Sequence, residues 1–528
     1  MPLLLTLLPI ALILCMLIIW KKPADVSGTV GWLAVSFIAL LAFQTSLEVI
    51  LRSTAAGFIR SFSVSLIVAT SLLQMAYMEK TGALKRIIIF IKTLACGNRA
   101  VQIMMINIGF GTLMVAVGAT PVSLLPPILV AMGYSTYVAI ALPAIGYDSL
   151  CTYALLGAPI VVFVDVANGF LGAGQEISLS QAGQVFFRLL PIVSTLIAGS
   201  MLWIVGKWNA LREGWLPCLI TGAVIGGVSY VTNKFDNLVV LTGVLCGLAV
   251  IAAMVVYLRL TGQKLIDRSR LDADELLYEK NFPLWKALSP WIILVLIILA
   301  LNVPEDVFNL LYRELRLPVH GLTANGAPLD TRALWQAYTW ILASILLSIP
   351  LLRPNATQLR ESVAVWIKRA PRPVFSAAIF FAIGEIMNMT GYDMNTKSFA
   401  VPSMIKVLAD HSANFFSDAY ALVVTFIGLF GGFITGSEAS TIAMFGKYTL
   451  NTAKNLDLNL NGMILIMAAL AFGGGLASVI SPAKLQNAAA SIDKLGAENQ
   501  VIRAAFVISL LLTLTTSLFV LLFLRIGA

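Results

Sequence analysis

Apolar runs long enough to cross a lipid bilayer recur from one end of this chain to the other, starting with PLLLTLLPIALILCMLIIW at 2–20. A helix needs about 20 such residues to span the hydrocarbon core, and backbone in that core must satisfy its own hydrogen bonds. The composition agrees: 59% of the 528 residues are hydrophobic and 12% are charged, against roughly 45–50% and 25% in soluble domains. The expected class is an all-α polytopic membrane protein. The first run has no charged leader and no small-residue cleavage site, and its lysines follow it. It therefore reads as a span and not as a removable signal peptide.

Apolar windows place twelve spans near 2–20, 30–50, 62–78, 137–166, 189–205, 216–231, 238–257, 286–303, 335–352, 374–390, 462–491 and 504–525. Two further segments, 101–130 and 413–447, are apolar at their ends and rich in Gly, Pro, Ser and Thr between them. Each reads as a re-entrant hairpin that enters and leaves on one side. With both termini outside, 22 of the 35 basic residues fall in cytoplasmic loops, as the positive-inside rule requires. The net charge of +9 then reflects loop anchoring. No basic stripe interleaved with aromatics suggests a nucleic acid partner.

The halves echo one another. MAYMEKTG at 75–82 parallels GEIMNMTG at 384–391, and the amphipathic stretches 83–94 and 397–408 follow. INIGFGTLMVAVGATPVS (106–123) parallels TFIGLFGGFITGSEAST (425–441), and ALLGAPIVV (154–162) parallels SVISPAKLQ (478–486). In the N-out topology the two copies are inverted, an arrangement that in carriers places the site at the midplane between repeats. The division expected is a first repeat over 1–188, connecting helices over 189–303 and a second repeat over 304–528.

Broken backbone at membrane depth is tolerated only where it is buried in protein or lines a polar cavity. Half-helices that start at such breaks aim free N–H groups and a positive dipole end into that space, which suits an anion. The candidate substrate residues are Gly118, Thr120 and Ser123 at the first tip, and Thr435, Gly436, Ser437, Ser440 and Thr441 at the second. Ser481, Lys484, Gln486 and Asn487 follow the second break. Glycine permits the turn, and hydroxyls cap a helix start or donate to a ligand. A charge at membrane depth needs a partner or a task. Lys484 is thus a candidate for the substrate carboxylate or for a pair with Glu438, while Asp148 and Glu438 are the coupling-ion candidates. Glu385 and Asp393 receive no role. Cys15, Cys96, Cys151, Cys218 and Cys246 are scattered without CxxC or metal-ligand spacing and read as small buried hydrophobes. His320 and His411 fall in expected loops. No Walker loop or hydrolase elbow is present, and no metal, cofactor or enzymatic activity is expected.

At these motifs the chain resembles the lactate permease family, bacterial carriers for L-lactate and glycolate. The residues are Thr435-Gly436-Ser437-Glu438-Ala439-Ser440-Thr441, Gly473-Gly474-Gly475, Ile480-Ser481-Pro482 and Lys80-Thr81-Gly82, with the resemblance strongest over 415–492. It implies proton-coupled uptake of a small 2-hydroxy monocarboxylate across the bacterial inner membrane. Through the wider ion transporter superfamily it also implies inverted repeats, elevator motion and commonly a homodimer. Where the family has a Glu-Gly-Ala-Ala-Gly-Phe-Gly run, this chain has Met114-Val115-Ala116-Val117-Gly118-Ala119-Thr120, without the carboxylate. Where the family has an uncharged pair after ISP, it has Ala483-Lys484. Both departures make the site more positive. The reading is a secondary carrier of a small organic acid, coupled to protons or, second, to sodium. A carrier of another carboxylate or a sulfonate, a passive anion channel, and a membrane enzyme or subunit are the alternatives.

Overall fold

A computed structural model describes residues 2–94, 97–172, 174–269, 271–494 and 496–526, leaving undescribed the side chains of Ile18, Ser123, Tyr147, Ser478, Pro482, Ala483, Glu498 and Asn499. Helix follows helix from Pro2–Leu14 to Glu498–Arg525. Among the described residues, strand pairing is confined to two short antiparallel ribbons, Pro318–Val319 with Leu329–Asp330 and Tyr392–Asp393 with Ser398–Phe399, and to one bridge between Leu94 and Ile266. By length and composition, eight of the described helices can cross a membrane, or up to ten if each of two bent pairs is one span. Pro2–Leu17, Ala337–Leu352 and Leu460–Leu476 are shorter apolar helices. The chain is a multi-pass, mostly helical membrane protein.

One expected span is corrected. The window 30–50 holds the end of one helix, Ala24–Ala42, and the start of another, Leu47–Arg60. The first ends where Gln44 turns left-handed (φ 52°) and Thr45 N–H bonds back to Ala39 O at 3.1 Å, a C-terminal cap that stops helix propagation. Ser46 then starts the next helix, its Oγ accepting from Val49 N–H at 3.3 Å. His411 is likewise helical, within Met404–Phe416, with Nδ1 2.8 Å from Val407 O.

The expected spans 189–205 and 216–231 are the arms of one long helical stretch, Leu179–Thr232, that reverses at Gly206 and Lys207 (φ 50°, ψ −133°). Small residues let the arms touch. A Cβ at Gly226 would stand 2.8 Å from Pro191, and one at Gly222 3.0 Å from Pro191 O. The boundary expected at 188/189 thus falls inside the first arm, which begins at the Ser178–Gln181 capping box. The boundary expected at 303/304 falls at the bend between Ser289–Asn302 and Glu305–Glu314.

The two segments expected to be re-entrant hairpins are each a helix, a turn and a second helix, and their first arms lie in Arg99–Ala116 and Met404–Thr435, which are long and apolar enough to cross a membrane. The first runs from Arg99–Ile103 through a π-helical stretch, Met104–Phe110, to Gly111–Ala116, and Pro121–Ala131 follows the turn. The second pairs Tyr420–Thr435 with Glu438–Asn455. Each is followed by a helix broken by 3-10 turns: Thr136–Gly146 and Ala154–Leu171 around Tyr147–Tyr153, then Leu460–Leu476 and Pro482–Ala490 around Ala477–Ile480. The second arm of each hairpin packs on the far half of the other broken helix: Pro121–Ala131 on Pro482–Ala490, and Glu438–Asn455 on Ala154–Leu171.

A strap holds the first amphipathic helix, Ala83–Lys92. The helix Ala273–Asn281, started by an Asp272–Glu275 capping box, lies against it. Arg86 Nη2 and Arg268 Nε reach Glu279 at 3.1 and 3.0 Å, Lys92 pairs with Glu275, and Tyr278 Oη donates to Gly82 O at 3.0 Å. Hydrogen bonding from Arg268, then its charge and that of Arg86, hold the Glu279 carboxyl below the ordinary range against the opposing effect of burial. A carboxyl lowered in the folded state stabilises above its unfolded pKa of about 4.3, and that contribution fades as pH falls through the depressed value. Glu279→Gln is expected to free the strap and speed trypsin cleavage within 259–286 at neutral pH; cleavage at the wild-type rate would mean that apolar contact alone holds it.

Candidate functional site

The second tip is built by local chemistry. Helix Tyr420–Thr435 stops at Gly436, which is left-handed (φ 69°) and bonds back to Gly432 O, a conformation that glycine adopts without penalty. Ser437 is extended and caps the next helix, its Oγ accepting from Ser440 N–H at 3.4 Å. Thr435 Oγ1 and Thr441 Oγ1 both donate to Ser437 O, at 2.9 and 2.8 Å. Three of the hydroxyls expected to meet a ligand, on Thr435, Ser437 and Thr441, thus close the turn. The Ser440 hydroxyl is different: it is buried with no hydrogen-bond partner among the described residues.

The first break is held against its own backbone preference. Leu155, Leu156 and Gly157 are all left-handed (φ 53°, 53° and 77°), a conformation costing about 1–3 kcal/mol for a residue with a side chain and kept only where surroundings enforce it. They do so here. A Cβ at Gly157 would stand 3.0 Å from the Val240 backbone, and Asn233 Nδ2 donates to Tyr153 Oη at 2.7 Å. In the second break Ser481, 3% exposed, leads helix Pro482–Ala490.

These parts meet. Thr152 Oγ1, in the first break, donates to Glu438 Oε1 at 2.7 Å, and both residues are 2% exposed. A Cβ at Gly475, just before the second break, would stand 2.8 Å from Glu438 Oε2 and 3.3 Å from Cys151 Cβ. A Cβ at Gly436 would lie 3.8 Å from Ser481 Oγ, so the starts of two half-helices are neighbours. Lys484 is partly exposed in the first turn after Ser481, and Asp148 is buried in the first break. The second tip and both breaks therefore form one polar centre.

The first tip stands apart from these contacts. Gly118 turns it (φ 91°) and faces Ser71 and Ile341, Thr120 is exposed, and the Ser123 side chain lies outside the described residues. Gln486 and Asn487 are exposed between buried Leu485 and Ala488. Sequence reasoning missed Thr152, whose partner is 286 positions away. It also missed an ion cluster. Arg60 and Lys447 each lie 3.7 Å from Glu385 Oε2, on the wall of a cavity of ≈ 1370 Å³. The only early signal was the presence of these charges inside otherwise apolar segments.

A multi-pass membrane protein whose second hairpin and two broken helices meet at a buried polar centre belongs to the transport proteins and not to the enzymes, as its family shows. The chain belongs to the L-lactate permease family, whose model matches residues 2–527. Among its relatives, the L-lactate permease of Salmonella typhi is 22% identical, covering 90% of this chain and 87% of that one. The glycolate permease GlcA of Escherichia coli K12 is 22% identical over 95% and 91%, and the L-lactate permease of Bacillus subtilis 24% over 90% and 88%. Of solved structures, the YdaH transporter of Alcanivorax borkumensis aligns with a TM-score of 0.44 at 12% identity, covering 90% of this chain and 88% of that one.

Proposed function

We propose that the chain is a secondary carrier of a small 2-hydroxy monocarboxylate, L-lactate or glycolate, driven by protons across the bacterial inner membrane. The observation that carries this reading is the meeting of two helix starts, at Ser437 and Ser481, beside Lys484. Exposed N–H groups and dipole ends at such starts favour an anion. The unpartnered Ser440 hydroxyl supplies a neutral donor, and Glu438 is the carboxyl that takes the coupling proton. The names of the relatives support lactate and glycolate in particular. We assign the hairpins and broken helices to a moving body in an elevator cycle, with both termini outside and the two halves as inverted repeats.

The test is uptake of radiolabelled L-lactate into proteoliposomes under an imposed pH gradient or an imposed Na+ gradient. Accumulation with the pH gradient alone is expected. Accumulation with Na+ alone would replace the coupling ion, and uptake of only a dicarboxylate or sulfonate would replace the substrate. Lys484→Ala is expected to raise the KM for lactate about tenfold or more, the size of one lost charged contact, at an unchanged folded yield. An unchanged KM would remove Lys484 from the site.

A further inference from the structure

We propose a second anion site, separate from the buried centre, formed by Arg60 and Lys447 on the wall of the vestibule, with Glu385 as its displaceable internal counter-ion. The cavity of ≈ 1370 Å³ is lined by Arg60, Glu385, Asn388, Lys447 and Asn451. Arg60 ends helix Leu47–Arg60, Glu385 lies on Pro371–Met389 and Lys447 on Glu438–Asn455, so three elements converge. Both cations address one oxygen of Glu385 at 3.7 Å, within ion-pair range but beyond hydrogen-bond length. Arg60 Nε is buried without a hydrogen-bond acceptor. Among the described residues no other carboxylate pairs with Arg60 or Lys447, and the nearby wall residue Asp165 is held by Arg332 at 2.9 Å.

Two cations against one carboxylate leave one positive charge uncompensated, with side chains only 29%, 14% and 11% exposed for Arg60, Lys447 and Glu385. Removing such a charge from water is costly unless an anion joins it. The guanidinium fork of Arg60 suits a planar carboxylate and Lys447 acts as a point charge. Asn388 and Asn451 line the same wall, at spacings that put them on the same helix faces as Glu385 and Lys447, and they offer bonds to a neighbouring hydroxyl. Lys447 stands nine residues beyond Glu438 on one helix, about 13 Å away at 1.5 Å per residue. The site is thus a distinct stop for a small carboxylate before the buried centre.

The experiment is a titration of the detergent-purified full chain with L-lactate at constant ionic strength, read as the thermal unfolding midpoint. It is made in a Lys484→Ala background, which weakens the buried centre, and the vestibule is identified by the response of the shift to substitutions at Arg60, Lys447 and Glu385, none of which belongs to that centre. Arg60→Gln and Lys447→Gln should each raise the half-saturating concentration about tenfold, and Glu385→Gln should lower it several-fold. Opposite signs do not arise from general destabilisation. Equal signs in all three variants, or no saturable shift in the Lys484→Ala background, would overturn the site. Proteoliposome uptake by the unsubstituted chain judges the carrier reading separately. Binding with these signs and no lactate transport would refute the carrier and keep the site.

Discussion

Glu438→Gln is expected to cut lactate uptake by about a hundredfold or more, roughly 2.7 kcal/mol, in protein that still folds. Glu438 is 2% exposed and is touched by all three parts of the centre. It leads the second-tip helix, accepts from Thr152 of the first break at 2.7 Å, and faces Gly475 at the second. A glutamine keeps this volume and can still accept from Thr152, so the packing survives. It removes the exchangeable carboxyl proton at that position while keeping the acceptor for Thr152. Glu438→Ala should lower both uptake and the unfolding midpoint, because it also leaves the Thr152 hydroxyl buried and unpaired. Initial uptake rates set beside thermal midpoints separate the two variants. Uptake by Glu438→Gln at the normal rate would reduce the carboxyl to a structural acceptor for Thr152.

Gly473→Ala is expected to abolish the folded protein. Helices Tyr420–Thr435 and Leu460–Leu476 approach so closely that a Cβ at Gly473 would overlap the Thr425 carbonyl oxygen and stand 2.7 Å from Leu429 N. Both obstacles are backbone and cannot rotate aside. Gly428 and Gly432 meet Leu470 and Gly474 in the same manner. Without a hydrophobic force between helices in lipid, such close contact supplies much of the association energy. Separating the pair should cost about 3 kcal/mol or more, the upper part of the overpacking range, and would displace the second tip from the breaks. Gly227→Ala is the control: nothing lies within 4 Å of its Cβ, and alanine is the better helix former by about 1 kcal/mol. Monodisperse yield on size exclusion should vanish for Gly473→Ala and hold for Gly227→Ala. Equal yields would show that these helices separate without penalty.

Much of the architecture was legible before any coordinates, because it depends on local chemistry. Apolar runs located most of the long apolar helices, since burial in lipid acts on each segment alone, but not the more polar helices Ala273–Asn281 and Ala356–Arg369. The stretch Thr435–Thr441 announced a turn because Gly436 and Ser437 have backbone preferences of their own, and the structure puts a left-handed residue and a helix cap at those positions. The window 30–50 misled because hydropathy averages over a single left-handed residue, Gln44, that ends one helix and lets another start. The hydroxyls misled differently. Composition could not distinguish Thr435 and Thr441, which spend their hydroxyls on the turn, from Ser440, which does not.

The sequence by itself determined the class of protein, the order of the glycine turns and broken helices, and several positions where the backbone must turn. Each of these follows from forces acting within about 20 residues, the length of one bilayer crossing. Only the tertiary structure decided which breaks share one space. The Thr152–Glu438 bond joins residues 286 positions apart, and the Arg60–Glu385–Lys447 cluster draws on three separate helices. A charge in an apolar segment signals that it needs a partner. Which partner it finds depends on how close the helices can come, and here the glycines at 428, 432, 473 and 474 set that distance.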